Sequence, residues 1–174
     1  MSNWLDVRIK IHPSEDQIGQ ITDHLKHYFY GEIKRTRDHN AMISLGDPKA
    51  KFVWLSVRSF EKYVSIVGNT RVGIADDNIV NIVNWIKSEF PTSKTIELQF
   101  RDDGSSIFWI YKWRDTDANQ IYFKKILRDK YPNFSVDRDL YTEATARLLS
   151  ITLKNNAEDG VIPLDLNSVA AVST

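Results

Sequence analysis

The chain reads as an α+β protein with a single antiparallel or mixed β-sheet of about five or six strands, built mainly from hairpins, and helices packed on one face. Three observations predict this. Leu5, Val7, Ile9 and Ile11 alternate with Asp6, Arg8 and Lys10, the period of a half-buried strand. Between Lys94 and Trp113 an Asp-Gly pair separates two runs rich in β-branched and aromatic residues, which is a hairpin signal. Ile79, Val80, Ile82, Val83, Ile86 and Phe90 recur at helical spacing behind Asp76 and Asp77, acids that favour a helix N-terminus.

The first strand, residues 5–11, ends before Pro13-Ser14. Gln17 follows Ser14 at capping-box spacing, and Ile18, Ile21, Leu25 and Tyr28 give a helix that runs to about Tyr30 and stops at Gly31. A polar, basic connector over 32–40 leads to a short apolar strand, 41–45, closed by Gly46-Asp47-Pro48. Residues 52–58 and 63–68 form a hairpin whose core face carries Val53, Leu55, Val57, Val64 and Ile66. The second helix runs from Asp76 to Phe90 and ends at Pro91.

In the next hairpin a two-residue turn at Asp103-Gly104 pairs Asp102 with Ser105, Phe100 with Ile107, Leu98 with Trp109 and Ile96 with Tyr111. One face is then wholly apolar. The other sets Thr95 against Lys112, Glu97 against Ile110 and Gln99 against Phe108, a mixed face open to solvent or to a partner. Thr116 or Asp117 caps a third helix with Ile121, Tyr122, Ile126 and Leu127 inward, ended by Tyr131-Pro132. Residues 139–154 fit a helix through Leu140, Ala144 and Leu148, or a strand through Leu149, Ile151 and Leu153. One domain spans 1–154, and the polar cluster from Asn155 to Gly160 opens a C-terminal tail over 155–174.

Composition excludes several classes. The 174 residues suffice for one hydrophobic core. Lys plus Arg equals Asp plus Glu at 23 each, so no global positive field draws nucleic acid, and such a role falls to a local patch. Without cysteine there is no disulfide, thiolate nucleophile or thiolate metal site. No apolar run approaches the ~20 residues that span a bilayer, and the expectation is a cytoplasmic protein with no membrane role. Neither a Gly-x-Ser-x-Gly elbow nor a His-Glu-x-x-His zinc motif is present. His24 and His27 stand one helical turn apart, a spacing that suits two metal ligands, but solvated histidines are the expectation and no metal or cofactor is foreseen. Trp109 and Tyr111 interleave with Lys112 and Arg114, yet register assigns both aromatics to the core rather than to base stacking.

These exclusions leave a non-enzymatic protein-binding module, such as an inhibitor, immunity or accessory protein, whose partner is another protein or a second copy. Its contact surface is placed at Phe52, Trp54, Tyr63 and Val67, opposite the core stripe of the first hairpin, together with Phe108 and Ile110. One alternative uses Val72, Gly73, Ile74 and Ala75, between a strand and a helix, as a phosphate-binding turn. That segment resembles in part the acetyl-CoA motif of the acyl-CoA-dependent N-acetyltransferases: Gly73 and Ala75 match, while Thr70 stands where the motif has Arg or Gln. The resemblance implies acyl transfer, with Tyr122 or Tyr131 as the acid. The other alternative is nucleic-acid binding through the basic run Lys34, Arg35, Arg37 and His39.

Overall fold

The computed structural model describes residues 4–36, 42–71, 75–102, 107–127 and 160–164. In chain order the elements are β1 (Trp4–His12), a 3-10 turn (Glu15–Gln17), α1 (Ile18–Thr36), β2 (Ile43–Ser44), β3 (Lys51–Ser59), β4 (Val64–Arg71) and α2 (Asp76–Glu89). They continue as β5 (Thr95–Asp102), β6 (Ile107–Arg114), a 3-10 turn (Asp115–Asp117), β7 (Gln120–Leu127) and β8 (Gly160–Pro163). Among the described residues, eight strands join one antiparallel sheet in the order β2-β3-β4-β1-β5-β6-β7-β8. The fold is therefore α+β, with more strands than the five or six the sequence suggests.

The additional strands lie where the sequence reading placed a third helix and a tail. Only the short turn at Asp115–Asp117 remains of the expected helix start, and residues 120–127 extend along β6. Alternation decides this: Ile121 pairs with Trp113 and Phe123 with Tyr111 on the apolar face, while Tyr122 and Lys124 turn the other way. β8 adds to β7 with Ile162 opposite Ile121, and Leu164 enters the core. Residues 139–154 and Tyr131 lie outside the described residues.

The core forms on the face carrying Leu5, Val7, Ile9 and Ile11 of the central strand β1. Ile9 stands between Ile66 of β4 and Leu98 of β5, and Val7 between Gly68 and Phe100. Ile18, Ile21, Leu25 and Phe29 of α1, with Ile79, Ile82, Val83 and Ile86 of α2, cover this face. Each such side chain contributes roughly 1.5–3 kcal/mol when removed from water. The helices meet through Tyr28 and Trp85, ring centres 6.0 Å apart, and Lys87 of α2 lies 4.8 Å over Trp113 of the sheet. α1 continues through Gly31 to Thr36, beyond its expected stop, since one interior glycine costs only about 1 kcal/mol.

Two registers differ from expectation. Between β5 and β6, Asp102 pairs with Ile107, Phe100 with Trp109, Leu98 with Tyr111 and Ile96 with Trp113. The shift is even, so each side chain keeps its expected face while its partner changes. Glu97 now meets Lys112 instead of Ile110, and the buried carboxylate gains an ion pair, with Nζ 3.1 Å from Oε1. Trp113 is buried opposite Ile96 and donates its indole N–H to the Ala118 carbonyl at 3.0 Å.

In the β3–β4 hairpin the pairing slips between Val53 and Ser56, a bulge that the period-2 reading did not contain. It reverses the faces assigned at the start of β3. Phe52, opposite Thr70, is fully buried toward the helices, while Val53 pairs with Asn69 on the other face. Trp54 stands in the bulge at φ 54°, and Leu55 folds over Gly68.

Candidate functional site

The face of the sheet away from the helices is polar at its centre. Asp6, Arg8, Lys10 and His12 of β1 alternate onto it, flanked by Asn69, Val67 and Ser65 of β4 and by Arg101, Gln99, Glu97 and Thr95 of β5. A solvated face would leave these side chains open to water. Instead Arg8, Ser65, Gln99 and Arg101 are each 1% exposed, and Glu97 is 2%. Charged groups at that depth are tolerated only with partners.

Several of those partners are visible. Arg101 holds Asp6 with two nitrogens of its guanidinium, Nε at 2.9 Å from Oδ2, and Asn69 Nδ2 donates to Asp6 Oδ1 at 2.6 Å. Glu97 accepts from Gln99 Nε2 at 3.1 Å as well as pairing with Lys112. A carboxylate only accepts, so the Gln99 amide is fixed with its nitrogen toward Glu97 and its oxygen away. That oxygen, Gln99 Oε1, has no hydrogen-bond partner, and neither does Ser65 Oγ.

Toward the other end of the strands the face becomes aromatic. Arg8 donates to the Tyr63 hydroxyl at 3.2 Å, Lys10 Nζ lies 4.3 Å over the Tyr63 ring, and Phe60 stacks on that ring at 4.6 Å. The His12 ring is centred 5.1 Å from Tyr63. Burial, with Lys10 and Lys112 adding to it against the opposing pull of Glu97, pushes the His12 pKa down to about 4. His12 is therefore neutral at pH 7.

A second feature stands at one corner of the sheet. Trp54 is 57% exposed, its ring centre 5.7 Å from that of Trp4, and the Arg71 guanidinium lies 5.4 Å over Trp4. β2 pairs with β3 only at Phe52 and Lys51, so from Val53 onward the outer edge of β3 has no partner strand among the described residues. A tryptophan at positive φ carries backbone strain of roughly 1–2 kcal/mol.

The six residues expected to form one exposed apolar patch are dispersed. Phe52 is in the core, Tyr63 and Ile110 are buried on the polar face, and Val67 is half-buried there. Phe108 pairs with Arg101 in β5, and its side chain lies outside the described residues. Among those of the six whose side chains are described, only Trp54 is exposed. The sequence reading missed Arg8, Lys10, Ser65, Gln99 and Arg101 as a group. The signal was present as polar alternation on two strands, but only their placement at the centre of the sheet brings those residues together.

Of the phosphate-turn residues, Val72, Gly73 and Ile74 lie outside the described residues. Ala75 precedes α2 and donates its N–H to Asn78 Oδ1 at 2.8 Å, the Asn78 N–H goes to Asp77 Oδ1 at 3.0 Å, and the Ile79 N–H to the Ala75 carbonyl at 3.2 Å. These donors are engaged within the helix start. That start is tied to the loop after β2, because Asp47 Oδ2 accepts from Asn78 Nδ2 at 2.8 Å and Asn81 Nδ2 at 2.9 Å. The bonds from Asn81 and Asn78 hold the Asp47 carboxyl below its ordinary pKa.

Lys34 and Arg35 belong to the last turns of α1 rather than to a connector, and Arg37 lies outside the described residues. His24 meets the Phe90 ring edge-on at 5.5 Å and stands 3.5 Å from Glu89. Among the described residues no group of three His, Cys, Asp or Glu side chains is placed to hold a metal, and no helix is long and apolar enough to cross a membrane. No family model matches the chain, and no curated protein or solved structure matches it.

Proposed function

We propose that the chain is a non-enzymatic protein-binding module whose contact surface is centred on Trp54, with Trp4 and Arg71 beside it. The observation that carries this reading is a large aromatic side chain, 57% exposed, held at φ 54° by a bulge. Folding stability gives little reason for it: the strained backbone costs energy, and so exposed an indole recovers only part of its transfer free energy. Strain kept at an exposed position belongs with function, and tryptophan and arginine are the residue types that anchor protein interfaces. The adjoining edge of β3 offers further backbone groups to a partner.

The acyl-transfer alternative gains no support, because the N–H groups of Ala75, Asn78 and Ile79 are already bonded. Native mass spectrometry of the chain purified from its source cells tests the binding reading. The expected result is a stoichiometric mass retained above 20.2 kDa, from another protein or a second copy, that Trp54→Ala loses. A bare monomer, or a complex indifferent to Trp54→Ala, overturns it.

A further inference from the structure

We propose that the partner docks through an extended, acidic segment of another protein, which adds a strand to the outer edge of β3. This rests on the reading of Trp54 as a contact residue and names the chemistry of what lies beside it. The β3–β4 hydrogen-bond pattern sets the edge. Phe60 donates its N–H to the Tyr63 carbonyl at 2.8 Å, so these two residues form a hydrogen-bonded pair. Bonded and unbonded pairs alternate along an antiparallel ladder, so Arg58 turns its backbone groups toward Ser65, while Val57 and Ser59 turn theirs outward. β2 reaches only Lys51 and Phe52, and among the described residues no strand takes up those outward groups. Such an edge is a template for one more strand.

Charge selects the segment. From Lys49 to Arg71 the chain carries five cations, Lys49, Lys51, Arg58, Lys62 and Arg71, against the single acid Glu61, although the whole chain has 23 residues of each sign. All six side chains are exposed. Among the described residues no carboxylate is ion-paired to Lys51, Arg58, Lys62 or Arg71. A second copy offering the same edge would set these cations against one another, whereas an acidic segment complements them. Alternation supplies the rest of the pattern. Ser56 and Arg58 lie on the face of Val67 and Ser65, while Leu55 and Val57 are half-buried against the core. The added strand therefore alternates acids on the Arg58 side with apolar residues on the Val57 side, and Trp54 stands at one end of the stretch as the aromatic anchor.

Fluorescence anisotropy of the full chain with a fluorescein-labelled peptide of about eight alternating Glu and Val residues tests the proposal, with an alternating Lys and Val peptide as counterpart. Saturable binding of the Glu-Val peptide is expected, with a dissociation constant on the order of 100 µM and the Lys-Val peptide about tenfold weaker. Ser59→Pro removes an outward N–H at an edge position that tolerates proline, and Arg58→Glu reverses an exposed charge; each weakens binding about tenfold. Should Ser59→Pro fail to fold, a Glu-Val peptide methylated on its backbone nitrogens carries the same test on the wild-type chain and is expected not to bind. No saturation up to about 1 mM, equal binding of the two peptides, or binding unchanged in either variant overturns the proposal. A native complex that Trp54→Ala loses but Ser59→Pro and Arg58→Glu keep would leave Trp54 as the contact and overturn strand addition alone. A homodimer that Ser59→Pro dissolves would put a second copy on the edge and overturn the acidic partner.

Discussion

The side chain of Leu55 lies over Gly68 so closely that a Cβ at position 68 would stand 2.7 Å from Leu55 Cδ2 and 2.9 Å from the Val53 carbonyl oxygen. The bulge of β3 and the glycine of β4 therefore fit as a pair, and Trp54 is presented from between the two contacts. The side-chain atom could yield, but the carbonyl belongs to the Val53–Asn69 pairing and cannot move without disturbing the ladder. Gly68→Ala is expected to cost about 1–3 kcal/mol in urea unfolding and to weaken any partner held by Trp54.

Asp47 ties the loop after β2 to the start of α2. Its pKa is lowered from 3.8, so its stabilising effect is complete above that value and lost as pH falls from 3.8 through the folded-state pKa. Asp47→Ala leaves the Nδ2 groups of Asn78 and Asn81 without their acceptor and is expected to cost about 2–3 kcal/mol at pH 7. Unfolding free energies measured from pH 5 to pH 2.5 will show a shallower acid limb in the variant than in the wild type.

Much of the architecture follows from local patterning. The strands around Val7, Val57, Ile66 and Leu98 and the helix through Ile82 were legible because each presents one apolar face at a single period. The β5–β6 register was not, since Asp-Gly suggests a two-residue turn while the Glu97–Lys112 and Ile96–Trp113 pairings favour a connection spanning 103–106. Residues 120–127 misled because their apolar positions fit both periods, and the choice depended on β6 as a neighbour. The bulge at Trp54 follows from a contact between Leu55 and Gly68 on different strands, which no period within one strand encodes. The burial of the polar face depends on β1 and β5 being adjacent, which neither strand's own pattern encodes.

His12 provides a second pH test with a different range. Its pKa falls from 6.5 to about 4 in the fold, so the unfolded chain takes up the proton first as pH drops. The stability of the neutral form is complete above 6.5 and is lost between 6.5 and about 4, on the order of 3 kcal/mol at the lower end. His12→Gln is expected to flatten denaturation midpoints between pH 7 and pH 4.5. NMR titration of the imidazole reads the same value directly, and an apparent pKa near 6.5 would contradict it.

Glu97 is buried and depends on Lys112. Lys112→Met removes the cation from a carboxylate that is 2% exposed and is expected to cost about 3 kcal/mol. Adding Glu97→Gln removes the buried charge, so the double variant should be more stable than Lys112→Met alone. A thermal-unfolding double-mutant cycle with no coupling would place Lys112 away from Glu97 and contradict the observed register.

Under the proposed function Trp54 is kept for a partner rather than for the fold. Glycine adopts φ 54° without strain, so Trp54→Gly separates the two roles. The decisive measurement is native mass spectrometry of Trp54→Gly against the wild type, both purified from the source cells. The expected result is a folded Trp54→Gly monomer beside a wild-type complex. A Trp54→Gly chain that keeps the same stoichiometric partner would contradict the proposed contact surface.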